Sequence, residues 1–138
     1  MLRINKHSKW VEPKNFDYNK FYMPTPGMLG TEYVGSDRYA VICVSVDSPK
    51  RISLVRWYDC PEDSEDIKNH AKVTLDKDGC MFYNIENIDL THHSFSKIEK
   101  WSLRTNKNGK QSWHEMGSSG KSSSIHWGIA SPYRDPDF

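Results

Sequence analysis

The feature that most constrains the fold is a pair of strand-like segments joined by a short turn. Tyr39–Val46 is rich in β-branched side chains, and Arg51–Trp57 alternates polar and apolar residues. Between them, Asp47–Lys50 contains a Ser-Pro pair, which is typical of a turn. Two such segments across a short turn predict an antiparallel hairpin.

Turn signals recur along the rest of the chain and separate further short strands. Asn108-Gly109 is the strongest of them, because both residues tolerate the backbone angles of a tight hairpin. Residues 59–70 are acidic and predict a loop or a short helix. The further predicted strands are Ala71–Leu75, Met81–Ile85, Ile98–Arg104, Lys110–Met116 and Ile125–Ile129.

Together these signals predict a mainly β fold: a single antiparallel β-sheet or small barrel-like domain with at most one or two short helices. The chain has 138 residues, the size of one domain. Within residues 1–138, we expect an extended N-terminal arm at 1–30 and a β-rich core with a C-terminal tail at 31–138. Aromatic residues make up 12% of the chain. This fraction exceeds the needs of a small core and therefore predicts aromatic surface buried in an oligomer.

Charge and cysteine content narrow the classes of partner and location. The formal net charge is +1, which argues against DNA or RNA held through its phosphates. Cys43, Cys60 and Cys80 are odd in number and widely spaced, which is a poor disulfide framework. No stretch approaches the roughly 20 apolar residues that span a bilayer. We therefore expect a cytoplasmic protein that does not bind a membrane.

The segment Gly117–Ser122 partly matches a phosphate-binding loop. That motif requires a glycine where Glu115 stands, and a helix must follow it. Here a strand-like segment follows instead. We therefore interpret 117–124 as a flexible hairpin tip.

Signals for metal ions, cofactors and catalysis are weak. His92 and His93 are adjacent and would point to opposite faces of a strand, so they cannot share one ion. Asp76 and Asp78 begin a calcium-loop pattern that lacks its later ligands. No pattern of nucleophile and base is evident. We therefore expect no metal, no cofactor and no catalytic residue.

Three segments combine arginine with aromatic or amide side chains next to turns. Arginine can bind phosphate through a fork of donors, aromatic rings can stack on a base, and aspartate can accept from ribose or adenine. The same residues could instead form surface ion pairs and turn caps. The candidate ligand-binding residues are Arg38, Trp101, Arg104, Asn106, Tyr133, Arg134 and Asp135.

At these positions the sequence resembles a family of phage proteins, the anti-Thoeris sponges, over about two thirds of its length. The matching motifs are a Gly-Thr turn at Gly30-Thr31, Ser36–Val41, Lys50–Ile52, Ser102–Gly109, and Gly128 followed by Tyr133–Phe138. Two insertions, at 59–70 and 117–124, depart from the family pattern. The hairpin is also longer, so that Asn106 and Asn108 compete for one position.

The resemblance implies a protein that sequesters cyclic ADP-ribose signals in the host cytoplasm and does not cleave them. It implies a dimer-based oligomer, such as a hexamer, with ligand sites at subunit interfaces. On this basis Arg38 and Arg134 would bind phosphates, Asp135 and Asn106 ribose or base edges, and Trp101 or Tyr133 the base. Two alternatives stay open: a module that binds a host protein, and a small nucleotide-cleaving enzyme. The ligand could also be a cyclic oligonucleotide.

Overall fold

The computed structural model describes most of the chain in seven segments. They cover residues 3–7, 15–17, 19–57, 71–75, 81–89, 95–117 and 124–131. Side-chain surroundings are described for all of these except 3–7, 71–75 and 81–89. The acidic segment at 59–70 and the tail at 132–138 lie outside these residues.

Six antiparallel strands form the main sheet, which curls into a nearly closed barrel. No α-helix occurs among the described residues. The two edge strands come close to each other without pairing, so the barrel has one open seam. In spatial order the strands are β8 (Gln111–Glu115), β7 (Glu99–Thr105), β4 (Arg51–Trp57), β3 (Asp37–Ser48), β2 (Leu29–Val34) and β9 (Ser124–Trp127).

A smaller sheet contains three antiparallel strands, in the order β1 (Arg3–His7), β6 (Met81–Asp89) and β5 (Ala71–Leu75). The predicted hairpin of β5 and β6 is confirmed, with Ala71 opposite Ile85. β1 lies within the predicted arm, where Arg3 pairs with Asp89. The sequence did not predict this strand, because the N-terminal residues lack a regular alternation of polar and apolar side chains.

The mainly β fold and its two strongest hairpins are confirmed. β3 and β4 pair from Ala40 opposite Trp57 to Ser48 opposite Arg51. β7 and β8 pair across the turn at Asn108-Gly109, where Gly109 has a φ of 81°. This positive φ explains why a glycine stands there.

The predicted turn at Gly30-Thr31 is wrong. Both residues lie inside β2, and the chain reverses at Gly35, which has a φ of 59°. Gly30 is needed for another reason: a Cβ atom there would lie 2.7 Å from Cε3 of Trp127 on β9. The glycine therefore makes room for an indole ring packed directly against the strand.

Alternation along the strands separates two buried clusters. One face of the sheet lines the barrel interior, and the other is covered by residues near Phe95 and Ala130. On the covered face, Thr31 Oγ1 donates to the carbonyl of Ile129 (2.8 Å) and accepts from the amide of Ser131 (3.0 Å). The interior cluster contains Val41, Cys43, Ile52, Leu54, Trp101, Leu103, Trp113 and Trp127.

The four tryptophans that the structure describes are all buried in these clusters. Among the large hydrophobic side chains that are exposed, the single aromatic one in the described segments is Phe21. Trp10, Tyr18, Tyr133 and Phe138, in the arm and the tail, lie outside the described residues, so the surplus of aromatic surface stays a prediction. The oligomer stays a prediction that rests on the family resemblance.

Candidate functional site

A concavity lies at the open seam of the barrel. We call it the seam groove and define it by its lining segments, Asn19–Tyr22, Gly109–Trp113 and Ser124–Trp127. Its volume is about 690 Å³. Sites for small molecules and cofactors typically have volumes of about 300–1,000 Å³, so the seam groove is large enough for a nucleotide-sized ligand.

Strand alternation gives the groove an aromatic floor and a polar rim. Trp113 on β8 and Trp127 on β9 belong to the interior cluster, and each is 2% exposed. Their neighbours Ser112 and His126 point to the outer face because side chains alternate along a strand. The groove therefore runs from solvent to the aromatic interior of the barrel.

Among the described residues that line the groove, the formally charged side chains are those of Lys20 and Lys110, and none is an Asp or Glu. His126 also lines it and contacts the ring of Tyr33 edge-on, with centroids 5.1 Å apart. Burial lowers the pKa of His126. The groove is therefore suited to an anionic ligand with flat, apolar parts.

Two polar atoms in the floor have no hydrogen-bond partner. Nε1 of Trp113 and Nε1 of Trp127 are closed off from solvent, and neither has an acceptor among the described residues. An indole N–H is only a donor, so a neighbouring acceptor is the one thing that can satisfy it. A buried donor without a partner costs about 1–3 kcal/mol.

Asn19–Tyr22, which we call the strap, covers one side of the groove. Tyr22 packs against the interior cluster, whereas Phe21 is 43% exposed. The amide of Lys20 donates to the carbonyl of Asp17 (3.0 Å), and the amide of Asn19 to its carboxylate (2.9 Å). No hydrogen bond joins the strap to the part of the barrel that the structure describes. Packing alone holds the strap on the barrel.

A separate ionic cluster lies in the same barrel interior, among carboxylates on three strands. Arg56 Nε donates to Glu32 Oε1 (2.6 Å), and its Nη1 donates to Glu99 Oε2 (2.9 Å). Glu32 is 1% exposed, and its register partner Tyr39 lies under the guanidinium of Arg56. Burial raises the pKa of Glu99, while Arg56 opposes this shift and Glu115 adds to it.

Two buried residues with nucleophilic side chains, Ser53 and Cys43, have structural roles. Ser53 is buried and donates to Asp47 Oδ2 (2.6 Å), which also accepts from Lys100 (3.3 Å). This network spans the register shift between β3 and β4. Burial and the nearby Asp47 raise the pKa of Cys43 to about 12, so its thiol stays protonated at neutral pH.

Asn106 shapes the groove from within the hairpin. Its side-chain Oδ1 accepts from the amides of Asn108 and Lys110, both at 2.9 Å. Its own amide donates to the carbonyl of Lys110 (2.9 Å). Asn106 therefore fixes the turn that carries Gly109 and Lys110 into the groove, and Asn108 lies at the exposed tip.

Arg104 and Arg38 flank the groove on opposite sides. Arg104 on β7 is opposite Ser112, a groove residue. Arg38 on β3 is opposite Tyr33, which is in turn opposite the groove residue Ser124 on β9. Since opposite residues on paired strands are about 5 Å apart, each arginine is one or two strands from a groove wall. The two do not converge on one point within the chain.

Trp101 belongs to the core. It is 1% exposed, and its Nε1 donates to Glu99 Oε1 (3.3 Å). It is not among the described residues that line the seam groove, and its role in base stacking stays a prediction. Tyr133, Arg134 and Asp135 lie outside the described residues, so their roles stay predictions.

Sequence reasoning missed Trp113, Trp127, Lys20 and Lys110. Trp113 could have been placed inside by alternation from Leu103, its register partner across the Asn-Gly hairpin. The position of Lys20 depends on a segment without periodicity, which no local pattern predicts. The closure of β8 towards β9 is a property of the whole sheet and has no local signal.

The segments described here contain no cluster of three or more metal-ligating side chains. They also contain no long apolar helix of the kind that spans a bilayer. Compared with known protein families, with curated proteins and with solved structures, the chain matches none. The resemblance to the sponge family therefore rests on the short motifs quoted above.

Proposed function

We propose that this chain binds an anionic nucleotide signal in the seam groove and sequesters it without cleavage. The observation that carries the proposal is the composition of the groove. It combines a floor of indole rings with Lys20 and Lys110 at the rim, and none of its described lining residues is a carboxylate. This combination suits a ligand that has both a flat base and phosphates.

The motifs shared with the anti-Thoeris sponges support a cyclic ADP-ribose isomer as the ligand, with a cyclic oligonucleotide as the alternative. Arg104 is a neighbour of one groove wall and Arg38 lies near the other. In an oligomer, a second copy of the chain would bring its own arginines and its tail. Arg134 and Asp135 keep their proposed ligand roles on the strength of the motif match alone.

Sequestration works by mass action. When binding sites outnumber the signal and the Kd lies well below its working concentration, little free signal remains. Ser112, which lines the groove, has its Oγ 3.0 Å from Nε2 of His114, so binding and turnover must be separated by experiment. A host-protein module and a nucleotide-cleaving enzyme are the competing functions that the first experiment must separate.

The first experiment is incubation of the protein with cyclic ADP-ribose isomers and cyclic oligonucleotides, followed by removal of free ligand and heat denaturation. Chromatography of the released material is the measurement. Intact ligand supports sequestration, whereas cleaved ligand would indicate an enzyme. If no member of the panel is retained, the nucleotide proposal fails and the host-protein module becomes the better hypothesis.

A matched pair of lysine variants tests whether the groove is the site. Lys110 lines the groove, whereas Lys107 is an exposed residue of the same hairpin that does not line it. We expect Lys110→Ala to weaken binding about tenfold in calorimetric titrations, because a charge-assisted hydrogen bond to phosphate contributes about 1.5–3 kcal/mol. Lys107→Ala should leave the Kd within about twofold. Equal effects of the two variants would show that the ligand binds elsewhere.

A further inference from the structure

We propose that the floor of the seam groove is a base-binding subsite in which the indole N–H groups of Trp113 and Trp127 donate hydrogen bonds to a nucleobase. The ligand would enter with its base towards the barrel interior and its phosphates at the rim, beside Lys20 and Lys110. This inference rests on the proposed function and assigns an orientation to the ligand within it.

The first argument concerns the indole donors. Protein interiors leave few buried donors without an acceptor, and two of them lie on the floor of the same groove. The neighbouring Trp101 shows the contrast, because its Nε1 donates to Glu99 within the core. The donors of Trp113 and Trp127 differ from it in lacking an acceptor among the described residues and in belonging to side chains that line a groove.

The second argument concerns polarity along the depth of the groove. The floor is formed by large apolar surfaces, and moving a phosphate into it would cost far more free energy than moving a neutral base. Purine ring nitrogens and base carbonyl oxygens are acceptors, which match two groups that can only donate. Phosphates stay near solvent, where the two lysines can bind them.

The third argument concerns the packing of Trp127. Cε3 of its ring lies over Gly30, where even one Cβ atom would be 2.7 Å away. The edge that carries Nε1 is the opposite edge of the indole, so it is not the edge that packs on β2. Gly30 therefore leaves room for the Cε3 edge of the ring against β2.

The fourth argument concerns access. Both Nε1 atoms are closed off from solvent, so a base reaches them only when the strap moves outward. The strap is suited to this movement, because its described hydrogen bonds run to its own segment and not to the barrel. Tyr22 would give up its packing on the interior cluster and could then stack on the incoming base.

The test follows the indole N–H signals in ¹H–¹⁵N spectra of the full chain as a nucleotide from the retained panel is added. Trp113→Phe and Trp127→Phe each remove one signal and so assign it, while the signal of Trp101 serves as the internal reference. We expect saturating ligand to shift the Trp113 and Trp127 signals downfield and to leave the Trp101 signal in place. Each Phe variant should also weaken binding about tenfold.

The outcomes separate this inference from the function on which it rests. If a nucleotide binds but both floor signals stay unmoved, the base subsite is wrong and the proposed function stands. If no nucleotide binds, both proposals fail together. Because the spectral shift is measured on the unmodified chain, reduced stability of a Phe variant cannot obscure the result.

Discussion

Two regions of the barrel interior, the ionic cluster around Arg56 and the aromatic floor at the seam, differ in how their buried polar groups are bonded. Around Arg56, the carboxylates of Glu32 and Glu99 are bonded within the protein, at 2.6 and 2.9 Å. At the seam, the donors of Trp113 and Trp127 have no acceptor in the described residues. Polar groups that the protein satisfies itself contribute to its structure, whereas unsatisfied ones beside a cavity indicate where a ligand binds.

We predict that the ionic cluster around Arg56 determines stability, whereas the aromatic floor at the seam determines binding. The variant with the largest expected effect removes the guanidinium of Arg56 from the ionic cluster. Arg56→Met should lower the free energy of unfolding by about 3–5 kcal/mol, because Glu32 and Glu99 would be left buried without their counter-ion. Urea denaturation followed by far-UV circular dichroism measures this loss.

Arg51 provides a matched control on the same strand. It is exposed, and its substitution by Met should change stability by less than about 0.5 kcal/mol. At a temperature where Arg56→Met remains folded, its ligand Kd should stay within a few-fold of the unmodified chain. A large loss of affinity in the folded Arg56→Met variant would contradict this prediction, because the ionic cluster would then contribute to ligand binding.

A substitution with an expected effect of intermediate size tests the aromatic floor. Gly30→Ala places a methyl group against the indole of Trp127, and overpacking of this kind costs about 1–3 kcal/mol. We expect a smaller loss of stability than for Arg56→Met but a larger loss of ligand affinity, since the ring must move. Denaturation and calorimetric titration of the same preparations give both quantities.

The clash itself can be isolated with a second substitution. In a Trp127→Leu background the smaller side chain leaves room at position 30, so Gly30→Ala should cost less there than in the unmodified chain. Residues in direct contact typically show coupling energies of about 0.5–3 kcal/mol. If the effects of Gly30→Ala and Trp127→Leu on stability simply add, the backbone preference at position 30 explains the glycine there, and the ring of Trp127 does not.

The sequence predicted the fold class and the main hairpins because their signals are local. Asn108-Gly109 and the β-branched segment Tyr39–Val46 specify turn and strand within a few residues. The positions that were predicted wrongly depend on distant partners. Glycine is a typical turn residue. The close contact with Trp127, 97 positions later in the sequence, explains why Gly30 lies in a strand.

The candidate site was predictable only in part, for the same reason. Asn106 was predicted to bind ribose or base edges; its side-chain Oδ1 accepts from two amides of its own turn, and the ligand role stays a prediction. Trp101 and Trp113 are both tryptophans on neighbouring strands, and composition cannot distinguish them. The difference between them comes from the neighbours: Glu99 satisfies one indole, and the open seam leaves the other without an acceptor.

The smallest expected effect is a difference in pH dependence between a carboxyl inside the barrel and one outside it. Burial raises the pKa of Glu99 above its ordinary value of 4.5, whereas hydrogen bonds from Ser53 and Ser45 lower that of Asp47 below 3.8. As the pH rises above about 4.5, the unfolded chain loses the proton of Glu99 before the folded protein does, so this group lowers stability. Asp47 acts in the opposite direction: its contribution is present above pH 3.8 and is lost as the pH falls through its folded pKa.

Thermal unfolding between pH 3 and 7 distinguishes the two carboxyl groups. Glu99→Gln should remove the decline in stability that begins above about pH 4.5, because the amide does not titrate. Asp47→Asn should leave that decline unchanged and instead reduce the loss of stability on the acid side. Arg56 opposes the shift of Glu99, so the decline should steepen when Arg56 is replaced by Met, if that variant folds across this range. A decline that persists in Glu99→Gln would mean that the burial of Glu99 is not its cause.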